Sequence, residues 1–191
     1  MRKYFILGAA FVVSMAMLFT SCKKEEVNNN GNNSGNTENP GGGSGGGSDS
    51  GGGGTVAGYV DLGLPSGTKW NSANETGGYN GFYTYDEAVN AFGDKLPTKE
   101  QFEELKENCT WVWQDNGGYK VTGQNGNSIV LPASGCRDCN GDVSTVGTLG
   151  YYWSSTPGDS ESAWCLIFHS SGVYRYYSSR CGGFAVRLVQ D

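Results

Sequence analysis

A chain with one histidine, His169, has a single candidate for an imidazole base. His169 follows Phe168 in what reads as a turn, and no Gly-x-Ser-x-Gly elbow stands elsewhere to hold a nucleophile for it. The residue is therefore read as an exposed polar side chain. Five of the six cysteines, Cys109, Cys136, Cys139, Cys165 and Cys181, fall in the C-terminal two-thirds. Cys136-Arg137-Asp138-Cys139 is a lone CxxC, and with no second pair and one histidine it lacks a zinc ligand set. A redox CxxC would need a βαβ context, and the flanks do not supply one. Five thiols cannot all pair, so at least one stays free, and Cys109 reads as a small core residue. Asn140-Gly141-Asp142 offers oxygens to calcium but has the composition of a turn. The expectation is no enzyme, no cofactor and no metal.

The remaining chemistry is recognition. Between residues 158 and 183 Tyr, Ser, Gly and Arg dominate. Tyr gives contact area with few rotors to freeze, and Ser and Gly give adaptable hydrogen bonding. The candidate binding residues are Asp159, Ser160, Ser162, His169, Tyr174, Arg175, Tyr176 and Tyr177. In a strand, Tyr174 and Tyr176 share one side and Arg175 and Tyr177 the other, and one side is expected to face the core. The turns around Asp159–Ser162 and His169 are expected to lie near one another, since both flank the strand at Trp164–Phe168.

Positioning these residues requires a scaffold. Thr84-Tyr85-Asp86-Glu87 and Thr98-Lys99-Glu100-Gln101 are capping boxes. They predict helices over about Tyr85–Ala91, ended by Phe92-Gly93, and over Lys99 to about Asn108. Phe102, Leu105 and Ala91 or Phe92 would face the core, with Glu103, Glu104 and Lys106 in water. Trp111–Trp113 and Tyr119–Thr122 predict a hairpin through Asn116-Gly117-Gly118. Ser128–Leu131, an alternating Trp164–Phe168, Val173–Tyr177 beyond a Ser170-Ser171-Gly172 turn, and Phe184–Val189 read as further strands. Arg187, inside the last of these, is expected to be a structural charge paired with a carboxylate.

The 191 residues allow one domain plus appendages. Of 32 glycines, 12 lie between Gly31 and Gly54. Removing residues 1–21, whose only charges are Arg2 and Lys3, leaves 11 basic against 19 acidic side chains, a net −8. That balance argues against a nucleic-acid partner, whose phosphates need Lys and Arg. Arg2 and Lys3 followed by apolar Ile6–Phe19 predict a secretory signal over 1–21, too short for a comfortable membrane span.

Phe19-Thr20-Ser21-Cys22 resembles a bacterial lipobox, which implies a diacylated Cys22 as the mature N-terminus. Several acyl chains, at about 0.8 kcal/mol per buried CH₂, anchor stably. Lys23-Lys24-Glu25-Glu26 is similar to the lipoprotein export signal of Bacteroidota, and Lys24, Glu25 and Glu26 carry that resemblance. It implies an outer-membrane, lipid-anchored protein facing the cell exterior. Residues 22–54 are read as the lipidated cysteine plus a disordered Asn/Gly/Ser tether. The Val27–Gly54 part would span about 30 Å root-mean-square.

Residues 55–191, about 137 in number, suffice for one core. Five blocks recur there in order: Tyr59–Trp70, Leu96–Leu105, Leu131–Gly135, Gly150–Thr156 and Gly183–Val189. Together they resemble the Fibrobacter succinogenes major paralogous domain family of Bacteroidota surface lipoproteins. That family is similar in fold to C-type lectin-like domains and formylglycine-generating enzymes. The resemblance implies an α+β, C-type lectin-like fold with two helices, a small mostly antiparallel sheet, and long irregular loops closed by the terminal strands. The closely spaced copper-binding cysteines of the enzymes have no match in Cys165 and Cys181. The Glu-Pro-Asn, Gln-Pro-Asp and Trp-Asn-Asp motifs of calcium-dependent lectins are absent.

Most of the display region 158–183 uses amino acids reachable from an AAC codon by changing only its adenines; Glu161 and Trp164 are not reachable. The vocabulary resembles the variable region of diversity-generating retroelement targets. The function expected is a surface-anchored ligand-binding lipoprotein for an extracellular protein or glycan. The alternatives are a carbohydrate-binding lectin without the usual calcium motif, or a structural, fimbria-associated envelope protein.

Overall fold

The structure, a computed structural model, describes residues 58–191. The signal over 1–21, Cys22, Lys24, Glu25, Glu26 and the tether through residue 54 lie outside the described residues. The described part is α+β, with two α-helices and four small antiparallel sheets. Strands β1 (Tyr59–Asp61), β2 (Lys69–Asn71) and β11 (Val189–Gln190) form a sheet in the order β1-β2-β11, which joins the two ends of the domain. β3 (Thr110–Trp113), β4 (Gly118–Thr122) and β5 (Ser128–Pro132) form a meander, with Trp111 opposite Val121 and Trp113 opposite Tyr119. β6 (Cys136–Arg137) pairs with β7 (Val143–Ser144). The largest sheet is β8 (Gly150–Pro157), β9 (Ser162–His169) and β10 (Gly172–Ser179), ordered β10-β9-β8. The expected single small sheet is thus divided into several, because Gly- and Pro-containing turns interrupt the pairing.

Helix α1 (Tyr85–Phe92) opens on Thr84, whose hydroxyl accepts from Glu87 N–H while the Glu87 carboxylate accepts from Thr84 N–H. It ends at Gly93, where φ is +53°, a region that favours glycine. Helix α2 (Lys99–Asn108) has the same reciprocal cap between Thr98 and Gln101. Phe102 and Leu105 are buried as expected, and Phe92 rather than Ala91 turns inward. Glu103 and Glu104 are only half exposed, contrary to expectation. Glu103 pairs with Arg175, and Glu104 accepts from the Ser66 N–H (2.8 Å) and hydroxyl (2.6 Å).

β9 is buried on both faces and does not alternate between core and solvent. Leu166 and Phe168 join a core with Trp70, Phe102, Leu105, Val121, Ile129 and Leu131. Ala163, Cys165 and Ile167 join a second core with Tyr85, Ala88, Leu96, Trp153 and Phe184. β9 is therefore a partition between α2 with the meander on one side and α1 on the other. The segment 184–189 alternates in the same way: Ala185 and Val189 enter the first core, Phe184, Val186 and Leu188 the second. It is extended, yet only Val189–Gln190 forms a regular strand. Upstream, isolated bridges from Phe184 to Tyr83 and from Ala185 to Tyr152 replace a ladder.

Arg187 is buried at 1% exposure in this segment. Its Nε donates to Asn74 Oδ1 (2.8 Å), Nη1 to Asn71 O (2.8 Å) and Nη2 to Val130 O (2.6 Å). No carboxylate lies at ion-pair distance from it among the described residues. The expected carboxylate partner is replaced by an amide and two carbonyls. Burial pulls its pKa down, while Tyr152 and the more distant Glu75 oppose that shift.

Candidate functional site

The display region maps onto the β9–β10 hairpin and the turns at its two ends. β10 pairs with β9 over its whole length without a bulge, from Gly172 opposite His169 to Ser179 opposite Ser162. Because β9 is flanked by the Asp159–Glu161 turn at one end and Ser170-Ser171 at the other, those turns are separated by the strand, about 23 Å. The expected proximity of the two turns is therefore corrected. What lies beside Asp159–Ser162 is the far end of β10, where Arg180 N–H donates to Glu161 O (2.9 Å).

Asp159 organises its turn. Its Oδ1 accepts from Glu161 N–H (2.9 Å), Ser162 N–H (2.7 Å) and Ser162 Oγ (2.9 Å). Those bonds hold its carboxyl below the usual range, since each favours the charged form. Ser162 is committed to the same turn, and Ser160 is exposed at its tip.

His169 is half-buried, which corrects the exposed reading. Its Nδ1 accepts from Ser171 N–H (3.2 Å), and its ring stacks on Tyr174 with centroids 5.4 Å apart. Tyr174 lies over Gly172, where an added Cβ would fall 2.5 Å from the Tyr174 hydroxyl. The glycine makes room for the stack. The His169 carbonyl accepts from the Tyr119 hydroxyl (3.0 Å), while Nε2 is buried without a hydrogen-bond partner among the described residues. His169 and Tyr174 thus close the hairpin end.

Arg175, Tyr176 and Tyr177 are exposed, so both sides of β10 reach solvent and the expected core-facing side is corrected: β10 lies at the outside of its sheet, and its residues on either side are at most half-buried. Tyr176 is 44% and Tyr177 50% accessible, unusual for side chains of this size. On the side facing α2, Arg175 is ion-paired with Glu103. Tyr177 packs on Trp164 with centroids 3.9 Å apart, and Lys99 Nζ lies 5.0 Å from the Trp164 ring. Tyr177, Trp164 and Lys99 form an aromatic and cationic ledge. Trp164 and Lys99 were absent from the sequence candidates. Trp164 stands opposite Tyr177 in register, a pairing that the hairpin turn at Ser170-Ser171 already implies. Lys99 has no such signal, because only the docking of α2 on β9 brings it there.

Cys139 and Cys181 form a disulfide across 42 residues, so the CxxC is not closed on itself. Beside it, Arg137 and Gly183 exchange backbone hydrogen bonds of 2.8 and 2.7 Å. Arg180 reaches α1, with its guanidinium 4.7 Å from the Tyr85 ring and 3.6 Å from Asp86. The C-terminal boundary of the display region is therefore fastened covalently and electrostatically. Cys109, Cys136 and Cys165 are in no disulfide. Burial and Glu104 push Cys109 up to about 11, and burial pushes Cys165 up as well. Cys109 is half-buried beside the first core rather than within it.

Asn140–Asp142 is a turn built on Asp138, whose Oδ1 accepts from the N–H groups of Asn140 (2.9 Å) and Asp142 (2.8 Å). Among the described residues no group of three or more His, Cys, Asp or Glu could hold a metal ion, and no helix is long and apolar enough to cross a membrane. A cleft of about 230 Å³ lies elsewhere, between Glu75, Thr76, Asn80, Phe82 and Ser134, and no display residue lines it.

One family, described as Domain of unknown function (DUF8237), matches residues 110–189, a span that runs from β3 to the start of β11 and leaves out both helices. No curated protein and no solved structure matches this chain.

Proposed function

We propose that this chain is a surface-anchored, non-enzymatic ligand-binding lipoprotein with a C-type lectin-like fold, whose recognition surface is the exposed part of the β9–β10 hairpin. The observation that carries this reading is the contrast along one hairpin. β9 is buried on both faces, while β10 presents Arg175, Tyr176 and Tyr177 to solvent. Aromatic and arginine side chains of that kind dominate interface energies, and the two cores do not include them. Asp159, Ser162, His169 and Tyr174 support the surface from beneath, by making its turns and closing its end. The ligand class is an extracellular protein or glycan, reached from a membrane to which Cys22 ties the chain.

Three experiments test this. Arg175→Ala, Tyr176→Ala and Tyr177→Ala should each weaken attachment of purified chain to bacterial cells, host mucosa or phage particles by about tenfold or more where the residue is central. Binding by all three variants equal to the parent's overturns the hairpin as the site. Cys22→Ala should leave unprocessed precursor and release the protein from washed membranes; retention would place the anchor elsewhere. With Lys24, Glu25 and Glu26 replaced by Ala, the anchored protein should become inaccessible to external protease.

A second reading, a lectin, is favoured by the Tyr177–Trp164–Lys99 ledge, since aromatic faces stack on sugar rings. Binding on a glycan array that Tyr177→Ala abolishes and a chelator leaves intact would select it.

A further inference from the structure

The backbone of β10 carries information separate from its side chains. Among the described residues β10 is an outer strand and pairs with β9 alone. The Arg180 N–H to Glu161 O bond marks residues 180 and 161 as a hydrogen-bonded pair. Such pairs recur at every second residue in an antiparallel ladder, so residues 178, 176, 174 and 172 spend their N–H and C=O groups on β9. Val173, Arg175, Tyr177 and Ser179 turn theirs outward. Of these, only the Ser179 carbonyl has a backbone partner beyond the sheet among the described residues, Gly182 N–H at 3.0 Å.

Natural edges are guarded by shortness, proline, bulges or charge. β10 has eight residues, no proline and no shift of register against β9, whereas the bulge of this sheet sits in β8, between Trp153 and Pro157. Its one charged residue, Arg175, is drawn onto Glu103 of α2. Among the described residues the edge is unguarded.

We propose that a second copy of this chain occupies it, with β10 pairing antiparallel to β10 across a two-fold axis. Facing residues must both turn outward or both inward, so the axis passes through a residue. The longest overlaps centre on Arg175 or Tyr176. Centring on Arg175 sets guanidinium against guanidinium. Centring on Tyr176 sets each Arg175 opposite the second copy's Tyr177, the two exchanging backbone hydrogen bonds. No like charges then face each other. The product is one six-stranded sheet, β8-β9-β10 continued into its symmetry mate. The edges are consumed and the side chains of the two hairpins lie side by side on its faces, doubling the surface available to a multivalent ligand.

The test uses full-length protein purified in detergent, and its readouts are mass and cross-linking rather than ligand binding. The parent should sediment with twice the protein mass of one chain. Under mild oxidation Tyr176→Cys should give a covalent dimer, with Cys165, the residue opposite position 176 in the hairpin, replaced by Ala in every variant, because residues facing one another across the axis lie within the Cα separation a disulfide accepts. Ser178→Cys, which faces the second copy's Tyr174, should cross-link at least tenfold more slowly. A monomeric parent, or equal cross-linking at both positions, overturns the proposal, and a dimer that binds no ligand leaves it standing while refuting the recognition reading.

Discussion

Arg187 donates from a fully buried position to Asn74, Asn71 and Val130, three acceptors on two distant segments of chain. Asn74 in turn donates to the Tyr152 hydroxyl (3.0 Å), which donates to Pro132 O (2.7 Å). Each buried acceptor left unsatisfied costs about 1–3 kcal/mol, so Arg187→Met should destabilise by about 3 kcal/mol or more in a denaturant titration. Arg187→Lys should recover only part, because an ammonium lacks the planar fork that reaches three acceptors. Asp159 makes a different prediction. Its folded pKa lies below the unfolded value, so its contribution is present above about pH 4 and is lost as pH falls through the folded value. Asp159→Asn should flatten the acid limb of the stability–pH curve, and the Asp159 carboxyl should titrate below ordinary aspartates by NMR.

At the scale of elements, the β9–β10 hairpin separates support from display. Tyr174 is stacked on His169 over Gly172, whereas Tyr176 is 44% exposed. Tyr176→Ser should change stability by less than about 0.5 kcal/mol, within the range of ordinary surface substitutions. Tyr174→Ser should cost about 1 kcal/mol, the worth of an aromatic contact and its burial. Thermal melts of the pair distinguish the two roles; equal losses would make Tyr176 a packing residue. The capping boxes of α1 and α2 act over four consecutive residues, which is why both helices are legible from sequence to within a residue. The partition role of β9 is not legible in that way. A strand covered on both faces by different elements shows no alternation, and Trp164–Phe168 read alone looks like a strand with a wet side.

For the whole molecule, the Cys139–Cys181 disulfide ties the β6–β7 loop to the end of β10. Closing a loop of 42 residues removes unfolded-chain entropy worth about 4 kcal/mol in the chain-entropy treatment. Cys139→Ser should lower unfolding stability by about that amount, and reductant should do the same to the parent but not to the variant. Thiol labelling of the folded domain should proceed slowly at Cys109 and more slowly still at buried Cys136 and Cys165, since burial disfavours the reactive thiolate.

Local pattern by itself determined the helices at Thr84 and Thr98, the hairpin through Asn116-Gly117-Gly118 and the β9–β10 hairpin. Each depends on turn chemistry, capping or strand parity within a dozen residues or so. Tertiary structure decided the rest. It chose Cys181 over Cys136 as the partner of Cys139 and gave Arg187 carbonyls in place of a carboxylate. It drew Glu103 from water to Arg175. Those outcomes turn on which distant segments meet across the two cores, and that is settled by packing many apolar side chains at once, a sum that no short stretch of the chain contains.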